Sequence, residues 1–131
     1  MIGLDTNVLV RYLTQDDPAQ SRRANRFIAD SAARDELLHL STIVLCETVW
    51  VLRWAYGAAK ADILRSLSRI LDTAQFSIED ADACREALAS YSQGQGDFSD
   101  YLLGGRNGRA GCSVTVTFDR KLRRSELFRV L

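Results

Sequence analysis

The chain contains few of the residues from which zinc sites are built. Among its 131 residues are one histidine, one proline and three cysteines. Cys46, Cys84 and Cys112 are far apart with no paired spacing, and the single histidine, His39, stands between two leucines. This set does not fit a zinc site, and unpaired cysteines agree with a reducing compartment.

The chain also lacks a long uncharged apolar run and an excess of either charge. No apolar stretch is long enough to cross a bilayer, and Asp5 interrupts the start too early for a signal peptide. We therefore expect a cytoplasmic protein with no membrane association. The 17 basic and 17 acidic residues give a formal net charge of zero, which argues against a protein that coats nucleic acid by charge alone.

The length and the 47% hydrophobic content indicate one domain, residues 1–131, with enough apolar residues for a core. Apolar periodicity predicts short strands that alternate with helices. The predicted strands cover residues 1–5, 37–40, 76–78, 113–119 and 128–130, and the predicted helices cover 6–13, 18–32, 41–56, 63–71, 80–92 and a stretch that begins at 97. Asp17 and Pro18 are the predicted cap and first helical position of the second helix, Ser41 or Thr42 begins the third, and Gly57 breaks the chain after it. This order predicts a three-layer α/β/α fold with a central, mainly parallel sheet.

Five acidic residues are candidate functional residues, because the pattern around each predicts burial or constraint: Asp5, Glu47, Asp97, Asp100 and Asp119. Asp5 follows an apolar strand and precedes Thr6 and Asn7, so we place it at the carboxyl end of that strand. Ligands bind at this edge in open α/β sheets. The alternative is that Asp5 only caps the next helix.

Glu47 is the only charged residue between Ser41 and Leu52, in a predicted helix. Its neighbours at helical spacing are apolar, so we expect its side chain to emerge from an apolar stripe. A carboxylate buried without a partner is strongly destabilising, so Glu47 needs a cation, a basic partner or a proton. A structural ion pair with Arg11 or Arg53 is the second interpretation.

The remaining acids lie at predicted element ends. Two glycines precede Asp97, which is placed to cap a new helix, and Asp100 follows three residues later. A capping box explains Asp97 well and Asp100 less well, because capping boxes prefer the longer Glu or Gln at that position. Asp119 closes a predicted strand, as Asp5 does, and by itself indicates only a turn.

As a set, these acids indicate a metal site. Carboxylates about 4 Å apart repel by roughly 4 kcal/mol at an effective dielectric of 20, so several in one pocket need a cation or raised pKa values. Ligands that are all oxygen select hard ions, and Mg²⁺ or Mn²⁺ keeps waters and leaves room for substrate phosphate oxygens. The sequence therefore predicts a site for Mg²⁺ or Mn²⁺ with the ligands Asp5, Glu47, Asp100 and Asp119.

Basic residues form three clusters, which in most proteins are solvated surface. The first two are Arg22, Arg23 and Arg26, and then Arg106 and Arg109. The last begins directly after Asp119, so it is the candidate contact to a phosphate backbone beside the acidic site. It consists of Arg120, Lys121, Arg123 and Arg124.

Four stretches of the chain resemble the motifs of the PIN-domain nucleases, and among these the VapC-type toxins of bacterial toxin and antitoxin pairs. Residues 2–9 are similar to the family's first strand and first acid, 41–52 to its helical acid, 96–102 to its third motif and 117–122 to its closing motif. The likeness covers the whole chain. One departure is Gly104 and Gly105, each less favourable in a helix than alanine by about 1 kcal/mol, where the family has helix formers.

The resemblance implies a Mg²⁺- or Mn²⁺-dependent endoribonuclease, the toxin of such a pair, in which a water activated by metal attacks the RNA phosphodiester. The implied catalytic residues are Asp5, Glu47, Asp100 and Asp119. The implied supporting residues are Thr6, Asn7, Asp97 and Thr117. The resemblance also implies an antitoxin partner and a homodimer. Trp50 and Trp54 have the pattern of core residues, and the resemblance adds a dimer interface or a groove for a partner helix.

Two other functions stay open at this point. A phosphatase that forms an aspartyl phosphate also begins with an Asp at a strand end, but Asn7 stands where such enzymes usually need a second aspartate. A non-catalytic RNA-binding or interaction domain would use the carboxylates only as caps and ion pairs.

Overall fold

The computed structural model describes all residues from 1 to 131 and contains five short strands and six α-helices. The strands are Ile2–Gly3 (β1), Leu38–Leu40 (β2), Phe76–Ile78 (β3), Thr115–Thr117 (β4) and Phe128–Val130 (β5). The helices are Thr6–Thr14 (α1), Pro18–Ala33 (α2), Thr42–Trp50 (α3), Lys60–Asp72 (α4), Ala81–Gln93 (α5) and Phe98–Arg109 (α6). None of them combines the length and the apolar character that a membrane crossing requires.

The contacts of the chain divide it into two compact units, Met1–Glu79 (the first unit) and Asp80–Leu131 (the second unit). The prediction of a single domain over residues 1–131 stays a prediction. The first unit holds β1 to β3 and α1 to α4, and the second holds α5, α6, β4 and β5.

All strand pairs are parallel, as the alternation of strands and helices predicts. In the first unit the strand order is β1-β2-β3, with Ile2 opposite Leu38 and Leu38 opposite Phe76. In the second unit β4 pairs with β5, with Thr115 opposite Phe128. The strands are thus hydrogen-bonded in two sets, where the sequence predicted one central sheet.

The start and stop signals in the sequence are confirmed at several elements. Asp17 caps α2 by accepting a hydrogen bond from the Gln20 N–H at 3.0 Å, and Pro18 is the first helical residue, where its missing N–H is harmless. Ser41 caps α3. Gly57 has a φ of 62°, a left-handed conformation that favours glycine, and it follows the end of the α3 region.

The predicted helix around Glu47 has an irregular last turn. Its first part is α3, and residues Val51–Ala55 form a π-helix, in which the Tyr56 N–H donates to the Val51 carbonyl at 3.2 Å. The prediction that Trp50 and Trp54 are core residues is wrong, because their exposed fractions are 45% and 71%. Arg53 stacks on the Trp54 ring, with its guanidinium carbon 4.7 Å from the ring centre.

The two adjacent glycines of α6 do not interrupt it, since the helix continues to Arg109. They occupy different surroundings. A Cβ at Gly104 would lie 2.8 Å from the Phe128 ring and 3.1 Å from Leu127, whereas a Cβ at Gly105 would meet only Arg109 at 3.8 Å. Gly104 is therefore the place where β5 approaches the helix, and this approach accounts for one of the two glycines.

We expect Gly104→Ala and Gly105→Ala to change stability in opposite directions. Gly105→Ala should raise the free energy of unfolding by up to about 1 kcal/mol, because alanine is the better helix former and its methyl meets no close neighbour. Gly104→Ala should lower it by about 1–2 kcal/mol, because the methyl overpacks the Phe128 contact. Urea unfolding of the two variants measures both values, and equal shifts would contradict this account of the helix.

Candidate active site

Asp5 lies directly after β1 and begins α1. Its backbone is extended and its Oδ2 accepts a long hydrogen bond of 3.4 Å from the Asn7 N–H, so it caps the helix as the alternative interpretation held. The side chain is exposed, so of the predicted burial or constraint it shows the constraint. The cap accounts for one carboxylate oxygen, and the other oxygen stays available for a ligand.

Glu47 is exposed on α3, and the expectation that it emerges from a buried apolar stripe is wrong. Ile43 and Trp50, one turn before and after it, are themselves 68% and 45% exposed, so the apolar side chains near Glu47 face outward. The argument from the cost of a buried charge therefore does not apply. The Glu47 Oε2 instead accepts a hydrogen bond of 2.8 Å from the Thr6 hydroxyl.

This hydrogen bond joins Glu47 to the residue directly after Asp5, and so it relates the two candidate acids of the first unit. Thr6 is buried and is the first residue of α1, directly after Asp5, while Glu47 belongs to α3. A buried hydroxyl in a helix has few orientations, so the bond fixes the position of the Glu47 carboxylate relative to the start of α1. Arg11, one proposed ion-pair partner of Glu47, forms its ion pair with Asp16 at 3.3 Å.

No pattern in the sequence indicated a role for Glu79. Its Oε2 accepts hydrogen bonds from the Thr42 N–H at 2.7 Å and from the Thr42 hydroxyl at 3.1 Å. It therefore satisfies an N–H at the start of α3 and holds in place the helix that carries Glu47. Thr42 and Glu79 are 37 positions apart, so no local spacing predicts their contact.

Asp97 and Asp100 form a capping box at the start of α6. The Asp97 N–H donates to the Asp100 Oδ2 at 2.9 Å, so the shorter Asp does take the position that Glu or Gln usually fills. The argument that a capping box explains Asp100 poorly is wrong. Both side chains are half-buried, which distinguishes them from Asp5 and Glu47.

Two hydrogen bonds hold Asp119, one at its backbone N–H and one at its carboxylate. Its own N–H donates to the Thr117 hydroxyl at 3.0 Å, and its Oδ1 accepts from the Lys121 N–H at 2.9 Å. It caps the short 3₁₀-helix Arg120–Leu122. Thr117 thus positions Asp119 through the backbone.

The three candidate acids of the second unit are Asp97, Asp100 and Asp119, and the charges of the other two act on the carboxyl of Asp100. Burial raises the pKa of the Asp100 carboxyl above its usual value, and the neighbouring charges of Asp97 and Asp119 raise it further. The hydrogen bond from the Asp97 N–H and the charge of Lys121 lower that pKa, but the net direction is upward. A group of acids with this property would gain from a nearby cation.

The residues offered to a metal are carboxylates, with no histidine or cysteine among them, and this set fits a hard divalent ion. No three side chains of the His, Cys, Asp and Glu types are grouped closely enough to hold an ion by themselves. Mg²⁺ sites commonly use one or two protein carboxylates and complete their shell with water and substrate oxygens. The set of metal ligands predicted from the sequence stays a prediction.

The basic clusters differ in their surroundings. Arg106 and Arg109 form ion pairs with Asp80 at 3.2 Å and with Glu86 at 3.1 Å, so they serve the second unit's own structure. In the third cluster every basic side chain is exposed. Its members are Arg120, Lys121, Arg123 and Arg124.

The comparison with protein families matches residues 2–126 to the PIN domain. The chain belongs to the PIN-domain family. It is also similar to a protein of Aquifex aeolicus (strain VF5) described as "VapC ribonuclease", with 28% identity over 121 residues, which cover 92% of this chain and 89% of that protein. No solved structure matches.

The match confirms the resemblance drawn from the four motifs, and it confirms the α/β/α fold class of PIN type. The matched range of the PIN domain includes residues of both units and all five candidate acids.

In a chelator, we expect Asp100→Asn to be as stable as the wild type or more stable at pH 7. Asparagine keeps an oxygen for the Asp97 N–H and removes a charge that burial disfavours. A carboxyl whose pKa is raised by folding favours the folded state only below its unfolded pKa of about 3.9, and this contribution is lost as the pH rises through the raised value. The advantage of the variant should therefore shrink toward acid pH in urea unfolding.

The matched control is Asp82→Asn, which removes an exposed acid from the first turn of α5. It should lower stability slightly at pH 7, because a negative charge at a helix start is favourable. An Asp100→Asn protein that is less stable than the Asp82→Asn protein at pH 7 would contradict the raised pKa of Asp100.

Proposed function

We propose that this PIN domain is a Mg²⁺- or Mn²⁺-dependent endoribonuclease and the toxin of a toxin and antitoxin pair. The observation that carries the proposal is the family match over residues 2–126, which includes an acid at each of the four motif positions. The relative described as a VapC ribonuclease supports the choice of RNA as substrate. Burial and the neighbouring charges raise the pKa of Asp100, and this supports a bound cation at the site.

The proposed metal ligands are Asp5, Glu47, Asp100 and Asp119, directly or through water. When bound, a divalent ion supplies a nucleophilic water at neutral pH and offsets negative charge on the leaving oxygen. No side chain is needed as a nucleophile. The surroundings of Asp100 raise its pKa, so a bound cation would favour the ionised form of this carboxyl.

The chain's own supporting residues orient these acids. Thr6 holds one oxygen of Glu47, and the carboxylate is therefore presented in one direction before any ligand binds. Thr117 fixes the backbone of Asp119. Asp97 and Asn7 each donate a backbone N–H to a neighbouring acid, and Asp97 also contributes negative charge.

The exposed basic cluster that follows Asp119 is the proposed contact to the RNA backbone: Arg120, Lys121, Arg123 and Arg124. Its charge acts on the site, because Lys121 lowers the pKa of Asp100. Positive side chains beside the reacting phosphate bind the backbone without reading its sequence. The zero net charge of the whole chain confines this attraction to a local surface.

We propose further that the protein works in the cytoplasm, is bound there by an antitoxin and forms a homodimer. The dimer is supported by the exposed apolar side chains of the α3 region, Ile43, Trp50 and Trp54, which are costly to leave in water. We expect Trp54→Ala to weaken the dimer, as measured by sedimentation at several concentrations. A wild-type chain that sediments as a monomer at micromolar concentration would contradict this part.

The alternative is a non-catalytic RNA-binding domain in which the carboxylates are caps and ion pairs. The capping hydrogen bonds of Asp5, Asp97 and Asp119 are consistent with it. Glu47 lies inside α3 and caps no helix, so capping alone gives no reason for its contact with Thr6. The aspartyl-phosphate phosphatase has no support in the family match.

The decisive measurement is cleavage of RNA with Mg²⁺ or Mn²⁺, with and without a chelator. We expect Glu47→Gln and Asp100→Asn each to lower the cleavage rate by at least about 100-fold, because a metal ion contributes several kcal/mol to such a reaction. Thr6→Val should lower metal affinity by about 10–100-fold, which is typical when a residue that orients a ligand is lost.

Glu126→Gln removes an exposed acid of the second unit that lies outside the proposed site, and it should leave the rate unchanged. Circular dichroism shows whether the variants are folded. Cleavage that survives the chelator would exclude the metal mechanism. Folded Glu47→Gln and Asp100→Asn proteins with wild-type activity and metal affinity would favour the non-catalytic alternative.

A further inference from the structure

The second unit contains a polar pocket of about 320 Å³, a volume within the range of ligand pockets. Its basic residues come from 121–124 (the basic wall), and its side-chain amides come from the end of α5 and the loop that follows (the amide wall). The lining residues that matter here are Gln93, Gln95, Tyr101, Lys121, Arg123 and Arg124. No part of the proposed metal chemistry uses the amides.

The pocket wall that carries the amides is held rigidly. Gly96 is buried, and its N–H donates to the Tyr101 hydroxyl at 3.1 Å. A Cβ at Gly94 would overlap that same hydroxyl, and a Cβ at Gly96 would overlap Leu122. The loop between α5 and α6 is therefore pressed against Tyr101, and both Gly94 and Gln95 of this loop line the pocket.

The basic wall carries cationic side chains, and not all of them take part in contacts within the protein. Arg124 is exposed and takes part in no ion pair, whereas Arg123 donates to the Arg120 carbonyl at 3.1 Å. Tyr101 and Lys121 line the pocket and lie directly after Asp100 and two residues after Asp119, respectively, so the pocket adjoins two of the proposed metal ligands.

The chemistry of the two walls fits one nucleotide of a single-stranded RNA. Guanidinium and ammonium groups bind phosphate oxygens. Side-chain amides both donate and accept hydrogen bonds, as the edges of bases do, and they discriminate between bases. An acidic peptide would use the basic wall but would give the pair of amides no comparable role.

We propose that this pocket binds a nucleotide next to the cleaved phosphate, with Arg124 on a phosphate and with Gln93 and Gln95 on the base. The pocket then makes cleavage selective for the base at that position. The inference rests on the proposed nuclease function, since it names a substrate subsite of that enzyme.

The test uses the full chain in a chelator and four short fluorescein-labelled RNAs, oligo(A), oligo(C), oligo(G) and oligo(U), with binding measured by fluorescence anisotropy. The wild type should prefer one of the four. Gln93→Ala/Gln95→Ala should lower the affinity for that RNA about fivefold to tenfold and bring the four affinities together. Both changes are at exposed positions, so the fold should be retained.

Arg124→Gln should instead weaken all four RNAs alike, by about tenfold, because a bond from a charged group to phosphate is lost. It should also reduce the slope of log affinity against log salt by about 0.7, the value for one phosphate contact on a single strand. Arg129→Gln is the matched control, since Arg129 is an exposed arginine on β5 outside the pocket, and it should change neither property.

Equal binding of all four RNAs by the wild type would overturn the base-reading role. Pocket variants that behave like Arg129→Gln would overturn the inference as a whole. An acidic peptide whose binding is lost in Arg124→Gln, with RNA binding unchanged, would assign the pocket to a protein partner and overturn it as well.

Cleavage of RNA with Mn²⁺ is measured on the same preparations, so that the two ideas are judged separately. If the wild type cleaves RNA and the pocket variants bind and cut as the wild type does, the pocket inference fails and the nuclease proposal stands. If the wild type does not cleave but the variants lose binding as expected, the nuclease proposal fails and the pocket remains an RNA site.

Discussion

The start of a helix leaves backbone N–H groups without partners inside the helix, and much of the candidate site is built on meeting that need. Asp5, Asp97 and Asp119 are each the residue before a helix, and Asp100 completes the box with Asp97. Glu79 does the same for α3 from a distance. The acids are therefore placed by backbone hydrogen bonds, which fix their positions without requiring burial.

Capping and ligand binding are compatible for these residues. A carboxylate has two oxygens and about four lone-pair sites, and each cap seen here occupies one oxygen, Oδ2 of Asp5 and Asp100 and Oδ1 of Asp119. The sequence presented cap and ligand as alternatives. In the proposed site a cap would fix each of the three aspartates, and its second oxygen would stay available to a cation or its waters.

Local signals in the sequence predicted most elements, including Asp17 and Pro18 at the start of α2 and both β3 and β5 at their observed bounds. They also predicted the cap at Asp97 and offered a cap as the alternative role of Asp5, but they predicted only a turn at Asp119, which precedes a 3₁₀-helix. They failed where distant parts of the chain decide the outcome. The exposure of Glu47 and Trp54, the contact from Glu79, and the approach of Phe128 to Gly104 depend on residues far along the chain.

The capping box of α6 has a thermodynamic consequence. Asp100 restrains the first turn of that helix, so if it also holds the proposed cation, fraying of the turn and occupancy of the site would be reciprocally coupled. A cation held by the free oxygen would leave the turn ordered, whereas one held by the capping oxygen would compete with the Asp97 N–H and loosen the start of the helix.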